Sequence, residues 1–196
     1  YDHSKALASL AAAKAAVAAQ DVVLVCPTGV IGPFDFRLSE FGSVVKAFTD
    51  GRPMAYIHGA AYDFVDVRDV ADGMISAMEK GRTGESYLLS GERISVREIM
   101  AVLKQASRSW FPLFGISRRQ AELVASLMPP LSRVFGGRPR FTPYSVAVLF
   151  SNSHISHAKA TAEFDYHPRP VRESLRDAVQ WFQQNLVLGS TIGPQA

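Results

Sequence analysis

Val22-Val23-Leu24-Val25-Cys26, followed by Pro27-Thr28-Gly29-Val30-Ile31-Gly32-Pro33, is a stretch that changes character at Pro27. The first five residues are apolar without alternation, as expected of a strand buried on both faces in a parallel sheet. Pro27 ends that strand because it cannot donate to a ladder. Ligands of open α/β sheets bind beyond the carboxyl ends of the strands, so residues 27–32 mark where a ligand should lie. The glycines permit close backbone approach and the prolines stiffen the turn.

Upstream, residues 4–20 are alanine-rich with no glycine or proline and read as a helix. Its small side chains let another helix approach closely. Tyr1 and Lys5 stand four residues apart at its start, on one helical face. A phenol titrates near pH ~10, and an ammonium one turn away favours its anion. A tyrosine tuned in this way can exchange a proton with a carbonyl or alcohol oxygen.

Downstream, Phe34 and Phe36 are candidates for a substrate wall, with a plain core role equally open. An amphipathic helix is expected near Leu38–Thr49, and a short strand over Met54–Gly59. Phe64-Val65-Asp66-Val67 alternates as a half-buried strand does. Asp69 is placed to cap a helix from Val70 to Glu79, so Asp66, Arg68 and Asp69 read as a structural cap and ion pair. Another apolar strand, Glu85–Ser90, is expected at the outside of the same sheet.

Tyr1, Ser4 and Lys5, the strand running into PTGVIGP, and Phe64-Val65-Asp66-Val67-Arg68-Asp69-Val70-Ala71 together resemble the extended short-chain dehydrogenase/reductases. The chain is most similar to their NAD-dependent epimerase/dehydratase and dihydroflavonol-reductase-like branch. The resemblance covers the second half of such an enzyme. No strand–glycine-rich turn–helix unit of the phosphate-binding kind is present, and we expect the chain to be part of a longer enzyme and inactive by itself.

The resemblance implies an α/β fold: the C-terminal part of a Rossmann-type, doubly wound parallel sheet with a smaller, mostly helical substrate domain. Residues 1–35 and 62–91 would belong to the dinucleotide-binding domain, and 36–61 and 92–186 to the substrate domain. It implies NAD or NADP as cofactor. Tyr1 would be the general acid/base, with Lys5 lowering its pKa and holding the nicotinamide ribose. Backbone at Pro27, Thr28 and Val30 would hold the nicotinamide carboxamide. A homodimer through the helix 4–20 is also implied.

Beyond Gly91 the chain turns helical, with arginine, methionine and aromatic residues. Ser95 and Glu98 form a capping-box pattern for a helix to about Ser107. Residues 110–115 read as an apolar loop. Ser117 is placed to cap a helix toward Val134, interrupted at Pro129-Pro130. Thr142–Phe150 fits either a helix or a strand; its apolar character at 144–150 favours a hydrophobic carbonyl substrate, while Arg138 and Arg140 keep a nucleotide-sugar open. A short helix before Phe164–Pro170 and a last helix, Val171–Asn185, complete the reading, with a disordered tail over 187–196.

The composition narrows the classes. With 47% hydrophobic and 20% charged residues the chain is an ordinary globular one, not a disordered one. The net charge of +3 is mild and its basic residues form no continuous tract, so no nucleic-acid partner is expected. No stretch approaches the ~20 apolar residues of a membrane span, and neither a membrane partner nor a site outside the cytoplasm is expected. The single Cys26 excludes an intramolecular disulfide and reads as a small buried hydrophobe. His154, His157 and His167 lack the companions of a metal site, and none is expected. The leading function is NAD(P)-dependent hydride transfer to or from a small apolar carbonyl or alcohol. A nucleotide-sugar epimerase or dehydratase, and a non-catalytic dinucleotide sensor or scaffold, are the alternatives.

Overall fold

A computed structural model describes residues 2–135, 143–151 and 153–189, and their side chains except at 2, 127–135 and 186–189. Tyr1, Arg138, Arg140 and residues 190–196 of the expected tail lie outside the described residues. The elements in order are α1 (Asp2–Val17), β1 (Leu24–Pro27), β2 (Gly29–Ile31), α2 (Glu40–Thr49), β3 (Met54–Ile57), β4 (Ala61–Asp66), α3 (Val67–Lys80), β5 (Ser86–Leu89), β6 (Glu92–Ser95), α4 (Val96–Ser107), β7 (Leu113–Ile116), α5 (Arg118–Phe135), α6 (Pro143–Leu149), α7 (Ala158–Phe164) and α8 (Val171–Gly189).

The strands form three small sheets. β1 pairs with β5 in parallel, Leu24 opposite Ser86 and Pro27 opposite Leu89. β4 lies between β2, parallel to it, and β6, antiparallel. β3 pairs in parallel with β7. The mixed α/β class with parallel pairing follows the sequence expectation. β1 does not follow it fully, because the run expected to be buried on both faces is half-buried and Cys26 is exposed. The reason is coverage: β5 pairs along one edge and α3 packs against the strand, but no strand lies on its other edge among the described residues.

Several local expectations are corrected. Residues 29–31, read as part of a turn, form β2, and 113–115, read as part of a loop, form β7 together with Ile116. Each is too short for a period-two pattern to register, and each exists through its pairing with β4 or β3. α3 starts at Val67, and its N-cap is Asp66, which accepts from the Arg68 amide, rather than Asp69. α5 continues through Pro129-Pro130 to Phe135. Residues 142–150 resolve as a helix over Pro143–Leu149. α8 runs to Gly189, past Asn185 and into the expected tail. The Ser95–Glu98 capping box is formed, and Ser117 closes a similar reciprocal cap with Gln120.

Three apolar clusters hold these elements. One gathers α2, α4 and α8 around Val45, Phe48, Leu103, Leu175 and Phe182. A second joins α3 and β5 to α7 through Val70, Tyr87, Leu89 and Phe164. A third packs Ala121 and Ala125 of α5 and Val146 of α6 under Ile57. α7, expected with the substrate domain, packs with α3 and β5: Ala160 and Phe164 join their cluster, and the Phe164 ring meets Tyr87 at 5.0 Å.

Candidate active site

Thr28 alone links the carboxyl end of β1 to β2, and residues 27–33 are the segment where the sequence expects a ligand. β2 is an edge strand: β4 pairs with one side of it, and no strand covers the other among the described residues. Such an edge presents unpaired backbone N–H and C=O groups. Pro27 and Val30 are exposed, and Thr28 is partly so. A carboxamide carries an acceptor oxygen and two donor hydrogens, which matches what the free edge offers. Val30 on this edge could take such a group, whereas the Thr28 amide is already given to the Leu89 carbonyl and Pro27 has no N–H and could only accept. A nicotinamide bound there would supply the hydride.

After Pro33 the backbone turns sharply. Phe34 (φ 71°) and Leu38 (φ 53°) sit in the left-handed region, rare for such side chains. Asp35 holds this strained loop: both its oxygens accept from the Ser39 amide at 3.0 and 2.9 Å, and Oδ2 also takes the Ser39 hydroxyl at 2.7 Å. Ser39 in turn caps α2 through the Gly42 amide. The Asp35 carboxylate lies so close to Gly42 that a Cβ there would stand 1.8 Å from Oδ2. Pro and Phe in this segment were visible in the sequence; Asp35 had no signal beyond an ordinary acidic loop residue.

The loop walls a pocket of about 240 Å³, lined mainly by Val30, Pro33, Phe34, Phe41, Val45 and Phe182. Phe34, 56% exposed, is among its lining residues. Phe36, 78% exposed, does not line it and instead meets the Trp181 ring edge-on at 5.2 Å. Lys5 stands exposed on α1 and is not among the residues lining this pocket. Tyr1, one helical turn before it in sequence, lies outside the described residues.

Asp66, Arg68 and Asp69 form the structural network expected of them. Burial pushes the Asp66 carboxyl up, but Arg68 overrides this with hydrogen bonds from its side chain and amide, and the pKa falls below the ordinary value. Arg68 also bonds Asp177 of α8 at 2.6 Å, tying α3 to the last helix. The Asp66 bond holds the Arg68 guanidinium above its usual range. Asp69 pairs with Arg169 through the side chain at 2.9 Å and the amide at 2.8 Å.

A second, larger cleft of about 700 Å³ opens between β4, β6 and the segment before α7, and Asp63, Arg93, Ser153 and His157 line it. The histidines make protein contacts: His157 Nδ1 lies 2.9 Å from the Thr161 hydroxyl, and His167 Nε2 lies 2.9 Å from Asp165. No group of three metal-ligating side chains occurs among the described residues. No described helix is long and apolar enough to cross a membrane.

Residues 1–90 match the model of the NAD dependent epimerase/dehydratase family. The chain is 34% identical over 186 residues to sterol demethylase protein B of Methylococcus capsulatus, covering 94% of this chain and 56% of that one. It is 32% identical over 120 residues to UDP-glucose 4-epimerase of Dictyostelium discoideum, covering 53% of this chain and 35% of that one. The structure of Bordetella bronchiseptica WbmF in complex with NAD+ and UDP superposes with a TM-score of 0.71 at 18% identity, over 97% of this chain and 54% of that one. The chain spans about half the length of the curated relatives it matches first. Sequence match and fold together place it in the extended short-chain dehydrogenase/reductase family, in the NAD-dependent epimerase/dehydratase branch.

Proposed function

We propose that the protein is an NAD(P)-dependent oxidoreductase that transfers hydride between the cofactor and a carbonyl or secondary alcohol of a small apolar substrate. Tyr1 exchanges the proton with the substrate oxygen. Lys5 favours the phenolate by its charge and holds the nicotinamide ribose. The backbone edge at residues 27–30 positions the carboxamide, and Phe34 orients the substrate.

The observation that carries the substrate class is the pocket beside the loop. Its wall is mainly aromatic and aliphatic, with Asp35 and Ser39 as its polar members, and among its lining residues there is no lysine or arginine. A diphosphate calls for guanidinium or ammonium partners, which this wall lacks. The similarity to a protein named for sterol demethylation points the same way. A nucleotide-sugar substrate is the second reading, favoured by the similarity to UDP-glucose 4-epimerase.

The test is turnover by the natural protein. NADH or NADPH oxidation is followed with a panel of apolar ketones and aldehydes, and heat denaturation is followed with UDP- and GDP-sugars. Oxidation with an apolar carbonyl and no protection by the sugars is expected. Protection by a nucleotide-sugar would overturn the apolar-substrate reading. The absence of turnover across the whole panel would favour a dinucleotide sensor or scaffold.

A further inference from the structure

Two connections leave the β1–β5 sheet at the same level, after Pro27 and its partner Leu89. β1 passes into β2 through Thr28, and β5 passes into β6 through Ser90 and Gly91. The two crossings are adjacent, since the Thr28 amide donates to the Leu89 carbonyl at 3.3 Å. One side chain of β4 reaches both. Asp63, 2% exposed, accepts at a single oxygen, Oδ1, from the Thr28 hydroxyl at 2.6 Å and from the Gly91 amide at 3.0 Å.

This clamp is tight on its Gly91 side. A Cβ at Gly91 would lie 2.2 Å from the Phe64 carbonyl, so the second crossing presses directly on the backbone of β4. The Asp63 side chain is almost wholly buried where it borders the wide cleft, so little of it is left to water. Charge-assisted bonds of this kind are short and roughly twice as strong as neutral ones.

Thr28 lies between Pro27 and Val30 and, with them, makes up the segment read as holding the carboxamide. We propose that Asp63 is the positioning residue of the cofactor loop: by gripping the Thr28 hydroxyl it sets the height and tilt of the backbone from Pro27 to Val30 against the nicotinamide. Asp63 touches neither cofactor nor substrate; it acts through Thr28. The inference rests on the reading of residues 27–30 as the carboxamide-holding segment. It adds a specific consequence, that the clamp governs nicotinamide binding separately from binding of the rest of the dinucleotide.

The experiment uses the natural protein with Thr28→Val, which keeps the β-branched shape and removes only the hydroxyl, and Thr28→Ser, which retains it. Affinities for NADH, NADPH and ADP-ribose, which lacks nicotinamide, are measured by calorimetric titration. In Thr28→Val the better-bound reduced cofactor should weaken about tenfold, the size of one charge-assisted bond, while ADP-ribose changes by less than about twofold. Thr28→Ser should restore the wild-type ratio. A general loosening of the fold would lower both affinities together, so an equal loss for cofactor and ADP-ribose overturns the proposal, as does an unchanged cofactor affinity. Wild-type protein that binds none of the three ligands would overturn the cofactor-loop reading itself, an outcome distinct from these.

Discussion

Asp66 is the residue whose chemistry is most constrained. It is fully buried, it caps α3, and Arg68 pairs with it through side-chain bonds of 2.8 and 2.7 Å. Burial raises its pKa and the Arg68 bonds outweigh that, so the folded value lies below the unfolded one. A depressed folded pKa means that the unfolded state takes up the proton first. The stabilisation is therefore fully present above the unfolded carboxylate value of about 3.9 and is lost as pH falls through the lower folded value. Asp66→Asn should be less stable near neutrality, and its stability should depend less on pH below about 4. Urea unfolding of both proteins between pH 7 and 3 measures this; parallel pH profiles would refute it. The structural reading of Asp66, Arg68 and Asp69 was available from their order in the chain. That Asp66 and not Asp69 is the cap was not, because both carboxylates precede helical residues and only the helix start distinguishes them.

Among elements, the turn from β2 into α2 is the most demanding. It combines left-handed Phe34 and Leu38 with a carboxylate that fills the space where a residue-42 side chain would stand. Gly42→Ala should displace Asp35, release the Ser39 cap and destabilise the protein by about 1–3 kcal/mol, the usual range for overpacking. Denaturant unfolding gives the stability, and substrate KM should rise because Phe34 loses its place at the pocket. An unchanged midpoint and KM would show that the loop holds without Asp35. Helices were legible where pattern and caps coincide, as at Ser95–Glu98. The three- and four-residue strands β2 and β7 were not, because their hydrogen bonds lie entirely with β4 and β3. Phe36 shows the same limit for a side chain: its aromatic character was plain, but its packing on Trp181 joins residues 145 positions apart in sequence.

At the scale of the molecule, α8 binds the parts together. It packs on α4 and α2 through Leu175, Val179 and Phe182, and its Asp177 reaches Arg68 of α3. Leu175 is completely buried in that cluster. Leu175→Ala should cost about 2–5 kcal/mol by lost burial and the cavity left behind. A thermal or urea titration checks it; a loss below about 1 kcal/mol would mean that the cluster closes over the gap.

From residue order alone came the α/β class, the strand ending at Pro27, most of the helices and the family. These rest on local rules: apolar runs, helical periodicity, capping residues, and proline and glycine as breakers, all of which act within a few positions. Tertiary structure alone assigned Asp63 to the Thr28 and Gly91 crossings, set Asp35 against Gly42, separated Phe34 at the pocket from Phe36 on Trp181, and left Cys26 exposed. Each of those depends on which groups distant parts of the chain bring within a few ångströms, and on which faces stay uncovered once they meet. Hydrogen bonding and burial operate at that contact distance, whatever the separation along the sequence.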